Sequence, residues 1–318
     1  MQLISSYISN FLQRSGGYIF IATITARILS FISSWLVLQF ITKKALGEVL
    51  FSWNIIVFIM PFVGFGLHQS YIRYGALITS SSDKKIVLNY IVRNGILASL
   101  LITIIVFVLG AILPFTNSNS GIYLMSLSFI FIPVYLLEVL KIKNRLEHNN
   151  KKVGIIEITY NLILVAMVGG LSYFFEEFGY VIALIFTPVF TILLFRSSAK
   201  VPFKKQKKIE IIDKEFWKYG FFGGLSNVAS ILLFTIDLLL VGLLLDSTEK
   251  VTIYRYISII PFSILFLPRV FITTDFVAFT EKIRDRKYIQ RYIKSYLYLF
   301  TSISVFFVLF FIFLTRTY

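Results

Sequence analysis

The chain has 318 residues, of which 57% are hydrophobic and 15% charged, with 34 phenylalanines, 18 tyrosines and a formal net charge of +15. So much apolar and aromatic material exceeds what one soluble core needs, which excludes an ordinary soluble domain. The absence of cysteine excludes disulfides and thiolate metal sites, and the two lone histidines, His68 and His148, exclude a histidine-rich metal cluster.

A bilayer's hydrocarbon core is about 30 Å thick, so a spanning helix rising about 1.5 Å per residue needs about 20 mostly apolar residues. In chain order the candidate spans are 18–40, 46–67, 86–113, 121–140, 153–174, 178–194, 219–243, 251–276 and 295–314. With no water in the bilayer to satisfy backbone groups, these runs predict helices, and no alternating strand pattern competes with them. The fold class is therefore all-α integral membrane, with about nine transmembrane helices. The opening MQLISSYISNFLQRSGG carries one late arginine, and the apolar run after it is too long for a signal-peptide core, so the first span itself is expected to direct insertion.

The charge follows the spans. Arg73, Lys84 and Lys85 fall between spans two and three, and Lys141, Lys143, Arg145, Lys151 and Lys152 between four and five. A basic segment follows span six, and Lys282, Arg284, Arg286, Lys287, Arg291 and Lys294 follow span eight. The alternate loops are nearly free of basic residues: PFTNSNS has none and FFEEFG is acidic. By the positive-inside rule the basic loops and the amino terminus are cytoplasmic, and the basic face contacts anionic headgroups. A nucleic-acid partner is not expected, because no soluble module carries interleaved basic and aromatic residues.

The one composition break is RSSAKVPFKKQKKIEIIDKEFWK, residues 196–218, a basic linker that continues into an amphipathic stretch. It predicts an interfacial helix before span seven and divides the chain into a six-helix bundle at 1–195 and a partial bundle of three helices at 219–318. Each bundle begins alike: a surface element, a glycine pair (Gly16 with Gly17, Gly223 with Gly224), a long span with one buried charge, a short outer turn and another long span. Such internal echoes are a feature of transporters, whose substrate sites lie between repeats.

Buried charges mark the candidate site. On a helix turning 100° per residue, Thr23, Arg27, Ser30 and Ser34 fall within roughly a 60° arc. Arg27 lies roughly 14 Å inside its span, beyond easy reach of the headgroups. Arginine at mid-span costs about 2.5–3.5 kcal/mol even on the lenient insertion scale, so it should face protein or water. Span seven repeats the design with opposite sign, aligning Gly223, Asn227, Ser230 and Asp237 on one face. Two readings of Arg27 with Asp237 stand: an ion pair that fixes packing, or the lining of a hydrated cavity. Span eight holds Pro261, Pro268 and Arg269; the prolines bend the helix, and Arg269 is either a cavity cation or an anchor to headgroups. His68 and Arg73, in FVGFGLHQSYIRYG, end span two as either a phosphate-meeting mouth or an interfacial anchor. Arg93 and Arg255 lie near span ends as snorkelling cations, and Glu157 is expected to partner a nearby arginine.

The chain has no G-x-x-x-x-G-K-[ST] loop, no H-E-x-x-H pair and no G-x-S-x-G elbow. Its outer loops are too short to form a catalytic domain. No enzyme activity, metal or cofactor is expected, and a membrane-bound polymerase or glycosyltransferase fits poorly.

The stretches KKALGEVLFSWNIIVFIMPFVGFGLHQSYIRYG and YGFFGGLSNVASILLFTIDLLLVGLLLDSTEKVTIYRYISIIPF resemble the Wzx-type polysaccharide flippases of the multidrug/oligosaccharidyl-lipid/polysaccharide superfamily. The features shared are Gly66, Leu67, His68 and Arg73 at the end of span two and Asp237 within span seven. The resemblance implies a V-shaped pair of six-helix bundles in the bacterial cytoplasmic membrane that moves an undecaprenyl-diphosphate-linked oligosaccharide outward by alternating access, with other membrane proteins of polysaccharide assembly as partners. It implies that Arg27 and Arg269 receive the diphosphate or acidic sugars, with His68 and Arg73 at the mouth. Asp237, Asn227, Thr23 and Ser30 are then the polar or ion-coupling lining. The family has twelve spans, so this chain is expected to lack the last three. The alternatives are a drug/cation antiporter of the same superfamily and a truncated, inactive flippase.

Overall fold

The computed structural model describes residues 16–113, 119–196, 211–245, 247–264, 272, 275–277 and 279–316. Among them every regular element is helical. The order is α1 (Gly16–Phe40), α2 (Lys43–Ile59), a 3₁₀ segment (Met60–Gly66), α3 (Leu67–Leu77) and α4 (Ser81–Ile112). Then come α5 (Ser120–Leu127), a 3₁₀ turn (Ser128–Ile130), α6 (Phe131–Leu146), α7 (Asn150–Leu194), α8 (Lys214–Leu244), α9 (Thr248–Ile264) and α10 (Arg286–Arg316). The runs Gly17–Phe40, Lys43–Leu77, Ser81–Ile112, Ser120–Leu146 and Asn150–Leu194 are long and apolar enough to cross a membrane, and Lys214–Leu232 with Thr235–Leu244, the two arms of α8 bent by 61°, count as a sixth when taken as one span. The chain is a multi-pass membrane protein.

Helix α7 covers predicted spans five and six because it turns back on itself. Glu176 takes φ 50° and ψ −128°, a break within the helical run. Thr187 Oγ1 then comes within 3.8 Å of Met167 Sδ, and Gly179 packs against the Leu171 carbonyl, as only antiparallel arms allow. The acidic FFEEFG sequence is therefore a tight hairpin between two apolar arms.

Spans two, four and nine are among those longer than the apolar pattern predicts, because polar residues continue the helix past the apolar run. Span two does not end at Leu67. Val63 is extended, Gly64, Phe65 and Gly66 take positive φ, and the chain then resumes as α3 for a further 11 residues. Span four runs on to Leu146, which takes Lys141, Lys143 and Arg145 out of the expected loop and onto α6. Span nine starts at Arg286, so Arg291 and Lys294 are helical as well.

The surface helix expected before span seven is different where described. Residues 211–213 bend, Asp213 caps α8 by accepting from the Phe216 amide at 2.8 Å, and Phe216 is fully buried in the first turn. Residues 197–210 of that linker, the amino-terminal surface element 1–15, and Pro268 with Arg269 lie outside the described residues. Helix α9 runs through Pro261 to Ile264.

Small residues and side-chain-to-backbone hydrogen bonds join the helices, the usual means of association where lipid supplies no hydrophobic drive. Gly154 lets α7 close on Tyr18 and Ala22 of α1. Tyr135 of α6 donates to the Ile91 carbonyl of α4 at 2.8 Å, with Gly95 beneath its ring. Gly66 meets the backbone of Gly220, and Ser70 donates to the Phe216 carbonyl, fixing α3 to α8. Thr252 donates to the Lys43 carbonyl at 2.9 Å and Tyr256 to the Ser34 carbonyl at 2.7 Å, fixing α9 to α2 and α1. Exposed Ile21, Ile28 and Phe31 on α1 and Leu97, Leu101 and Ile104 on α4 form the apolar exterior that lipid requires.

Candidate functional site

At the end of the bundle that carries the basic loops, α1, α6 and the first arm of α7 line a half-open cavity of about 520 Å³. Each helix supplies its lining through helical spacing: Thr23, Arg27 and Ser30 from α1; Glu138, Lys141 and Arg145 from α6; Glu157, Tyr160 and Asn161 from α7. These sets are three, four or seven residues apart, which brings them to one face of each helix.

The centre of the arrangement is Lys141. Its ammonium lies 2.9 Å from Glu138 Oε1 and 2.9 Å from Glu157 Oε2, so one cation bridges carboxylates on two helices. Lys141 is 12% exposed, whereas Glu138 and Glu157 are 40% and 38% exposed and open to the cavity. The Asn161 amide donates to the Glu157 carbonyl at 2.9 Å, and Thr23 to the Ile19 carbonyl at 2.8 Å, so these two groups stay on their own helices. Arg27 and Arg145 add two guanidiniums to the same wall. In their ordinary ionisation states the described residues of the lining comprise three cations and two carboxylates. Guanidinium offers a planar fork of donors to carboxylate or phosphate, so the wall is suited to an anion.

The structure brings Thr23, Arg27 and Ser30 together in this cavity and places the other candidates elsewhere. Asp237, exposed on α8, accepts at Oδ2 from the Tyr254 hydroxyl at 3.0 Å. The acids lining the Arg27 cavity are Glu138 and Glu157, not Asp237. Asn227 is partly buried on α8, away from the lining. His68, at the start of α3, stands edge-on to Tyr135 with ring centroids 6.3 Å apart, and its Nδ1 is buried with no hydrogen-bond partner among the described residues. The Arg73 guanidinium lies 4.4 Å from the Tyr219 ring centroid, a cation–π contact between α3 and α8. Arg269 lies outside the described residues.

Sequence reasoning missed Glu138, Lys141 and Arg145. Their spacing continues the helical face of an apolar run, and that signal was available; Glu138 lies within the expected span four, and the density of basic residues made the segment after it read as a loop. Glu157 does have an internal partner, as expected, but it is Lys141 and not an arginine.

The fold is that of the transporters of the MOP superfamily. The chain is similar to the MATE multidrug transporter DinF-BH, with a TM-score of 0.67 at 12% identity over 92% of this chain and 68% of that one. It is similar to a multidrug resistance MATE family transporter of the MOP superfamily in an outward-facing conformation, with a TM-score of 0.63, 14% identity and coverage of 90% and 67%. It is also similar to a MOP superfamily transporter from Pyrococcus furiosus described by the reverse polarity of its binding pocket, with a TM-score of 0.58, 13% identity and coverage of 90% and 67%. The chain thus spans about two thirds of the length of these solved structures. No protein-family model matches it. No curated protein matches it by sequence.

Proposed function

We propose that the protein moves an undecaprenyl-diphosphate-linked oligosaccharide across the bacterial cytoplasmic membrane by alternating access, with its amino terminus and basic loops on the cytoplasmic side. The observation that carries this reading is the positive cavity: Arg27 and Arg145 line the same space as the Lys141 bridge, walled by three helices. A diphosphate at this depth needs charge-assisted donors, because lipid offers it none. The same basic end attracts anionic lipids and brings an anionic lipid-linked substrate to the entrance.

A drug or cation antiporter would use the carboxylates. Here both glutamates are engaged by Lys141, so the cavity disfavours a cation. The test is restoration of surface glycan in a flippase-deficient bacterium by the 318-residue chain. Arg27→Ala should abolish restoration at normal protein level, and Arg27→Lys should retain part of it. Full activity of the alanine variant, or uptake of a cationic dye in place of glycan export, overturns the reading.

A further inference from the structure

The polar face of α1 continues past the cavity. Ser30 is the last residue of that face to line it, and Ser34 stands one turn, about 6 Å, further toward the outer end. The Ser34 carbonyl accepts at 2.7 Å from the hydroxyl of Tyr256, which comes from α9. Tyr256 also interacts electrostatically with Tyr180 in the second arm of α7, so its side chain faces two helices of the opposing group. Around this contact the outer ends of spans one and two share one buried cluster with those of spans seven and eight: Val37 of α1, Leu46 and Leu50 of α2, Leu238 of α8 and Val251 of α9. The Thr252 hydroxyl donates to the Lys43 carbonyl at 2.9 Å, and a Cβ on Gly47 would overlap the Thr248 carbonyl, so backbone meets backbone at the rim. Beyond the cavity the outer end is thus closed by packing across these four spans.

We infer that Tyr256 is an outer gate: its hydroxyl, held by the Ser34 carbonyl, closes the way from the cavity to the outer face, and parting that bond opens it. The inference rests on the proposed placement of the basic end on the cytoplasmic side and adds to it the residue that closes the opposite end. The contacts named in the seal are hydroxyls on carbonyls and apolar packing, so parting them strands no charge in the membrane. Both carbonyls belong to helices and keep their intrahelical donors, and water can replace the lost partners of the two hydroxyls, so each hydrogen bond resists opening only as an ordinary one does. Pro261, further along α9, cannot donate to the Ile257 carbonyl, which leaves a weakened turn about which the segment bearing Tyr256 can swing.

The chain has no cysteine, so a single introduced thiol reports which side of the membrane reaches the cavity. The full chain carrying Ser30→Cys is treated with a membrane-impermeant maleimide, added outside spheroplasts and, separately, to inverted membrane vesicles. Labelling is expected to be fast in the vesicles and slow in the spheroplasts. Tyr256→Phe, which removes the hydroxyl and keeps the ring, should raise the slow rate about 3- to 10-fold, the factor that one ordinary hydrogen bond sets, and leave the fast rate unchanged. Thr252→Val removes the other hydroxyl of the seal and should act in the same direction, so it decides the matter if Tyr256→Phe does not fold. Thr23→Cys, in the same lining, replaces Ser30→Cys if that reporter does not fold. Ser99→Cys, fully buried on α4, reports general loosening and should stay unlabelled throughout. An unchanged slow rate, equal rates from both sides in the parent, or Ser99→Cys labelling that rises with Tyr256→Phe overturns the gate. No glycan enters the measurement, so these outcomes are separate from a failure of glycan export. Fast labelling from the outside alone overturns the cytoplasmic placement of the basic end, and the gate is then decided by the same ratio in inverted vesicles.

Discussion

Lys141 of α6 reaches across to Glu157 of α7 at 2.9 Å while holding Glu138 one turn back on its own helix at the same distance. This contact fixes the wall of the cavity and joins the two helices. Truncating one partner of a buried ion pair costs up to about 3–5 kcal/mol, and the exposure of both carboxylates to the cavity reduces this to about 1–3 kcal/mol. Lys141→Met should therefore lower the unfolding temperature in nanodiscs. Adding Glu157→Gln should recover part of the loss, because the second change removes a carboxylate left without its cation. A double variant as unstable as the sum of the singles would show that the bridge is not an energetic unit.

Much of the bundle is legible in the sequence, because a membrane accepts few alternatives to a long apolar helix. The hairpin at FFEEFG, the polar face of Thr23, Arg27 and Ser30, and the span order follow from apolar length and helical spacing. The sequence is least informative where a helix continues beyond its apolar run. His68 and Arg73 read as a helix end, since the glycines of FVGFG precede a polar stretch, yet that stretch is α3, with His68 against Tyr135 and Arg73 against Tyr219. Lys141 reads as a loop residue because basic residues follow the apolar run; on α6 it stands between two carboxylates, one of them 16 positions away in the chain. The partner of Asp237 is illegible in another way, because a tyrosine in an aromatic-rich span gives no hint that its hydroxyl is the donor.

Gly66 tests the junction of α3 with α8. It has φ +72°, and a Cβ there would overlap the Gly220 carbonyl. Backbone strain and the forced separation of the helices should together cost about 2–4 kcal/mol in Gly66→Ala. Gly220→Ala is expected to be milder, since Gly220 lacks the positive φ of Gly66, although its Cβ would meet the Ser70 hydroxyl at 2.6 Å and the Gly66 carbonyl at 2.9 Å. Chemical denaturation of the two variants in detergent should rank them in that order.

The Tyr254 hydroxyl and Asp237 form an exposed pair at 3.0 Å, so their hydrogen bond contributes about 0.5–1.5 kcal/mol at most. Tyr254→Phe should leave the unfolding temperature nearly unchanged. If Asp237 works through the geometry this bond gives it, Tyr254→Phe and Asp237→Asn should reduce glycan export in parallel, and their double variant should be no worse than either. Export unaffected by both changes would show that transport does not depend on Asp237.

Glu176 gives a prediction of opposite sign. Its φ of 50° with ψ of −128° resembles the first central position of a type II′ turn, which favours glycine because a Cβ crowds the backbone there. Relief of that strain, reduced by the greater chain entropy of glycine in the unfolded state, should make Glu176→Gly more stable by about 1 kcal/mol. The neighbour Glu177 keeps helical backbone angles, so Glu177→Gly should destabilise by about 0.5–1 kcal/mol. Equal effects from the two substitutions, measured by thermal unfolding in the same nanodisc, would show that the hairpin does not depend on the backbone conformation at Glu176.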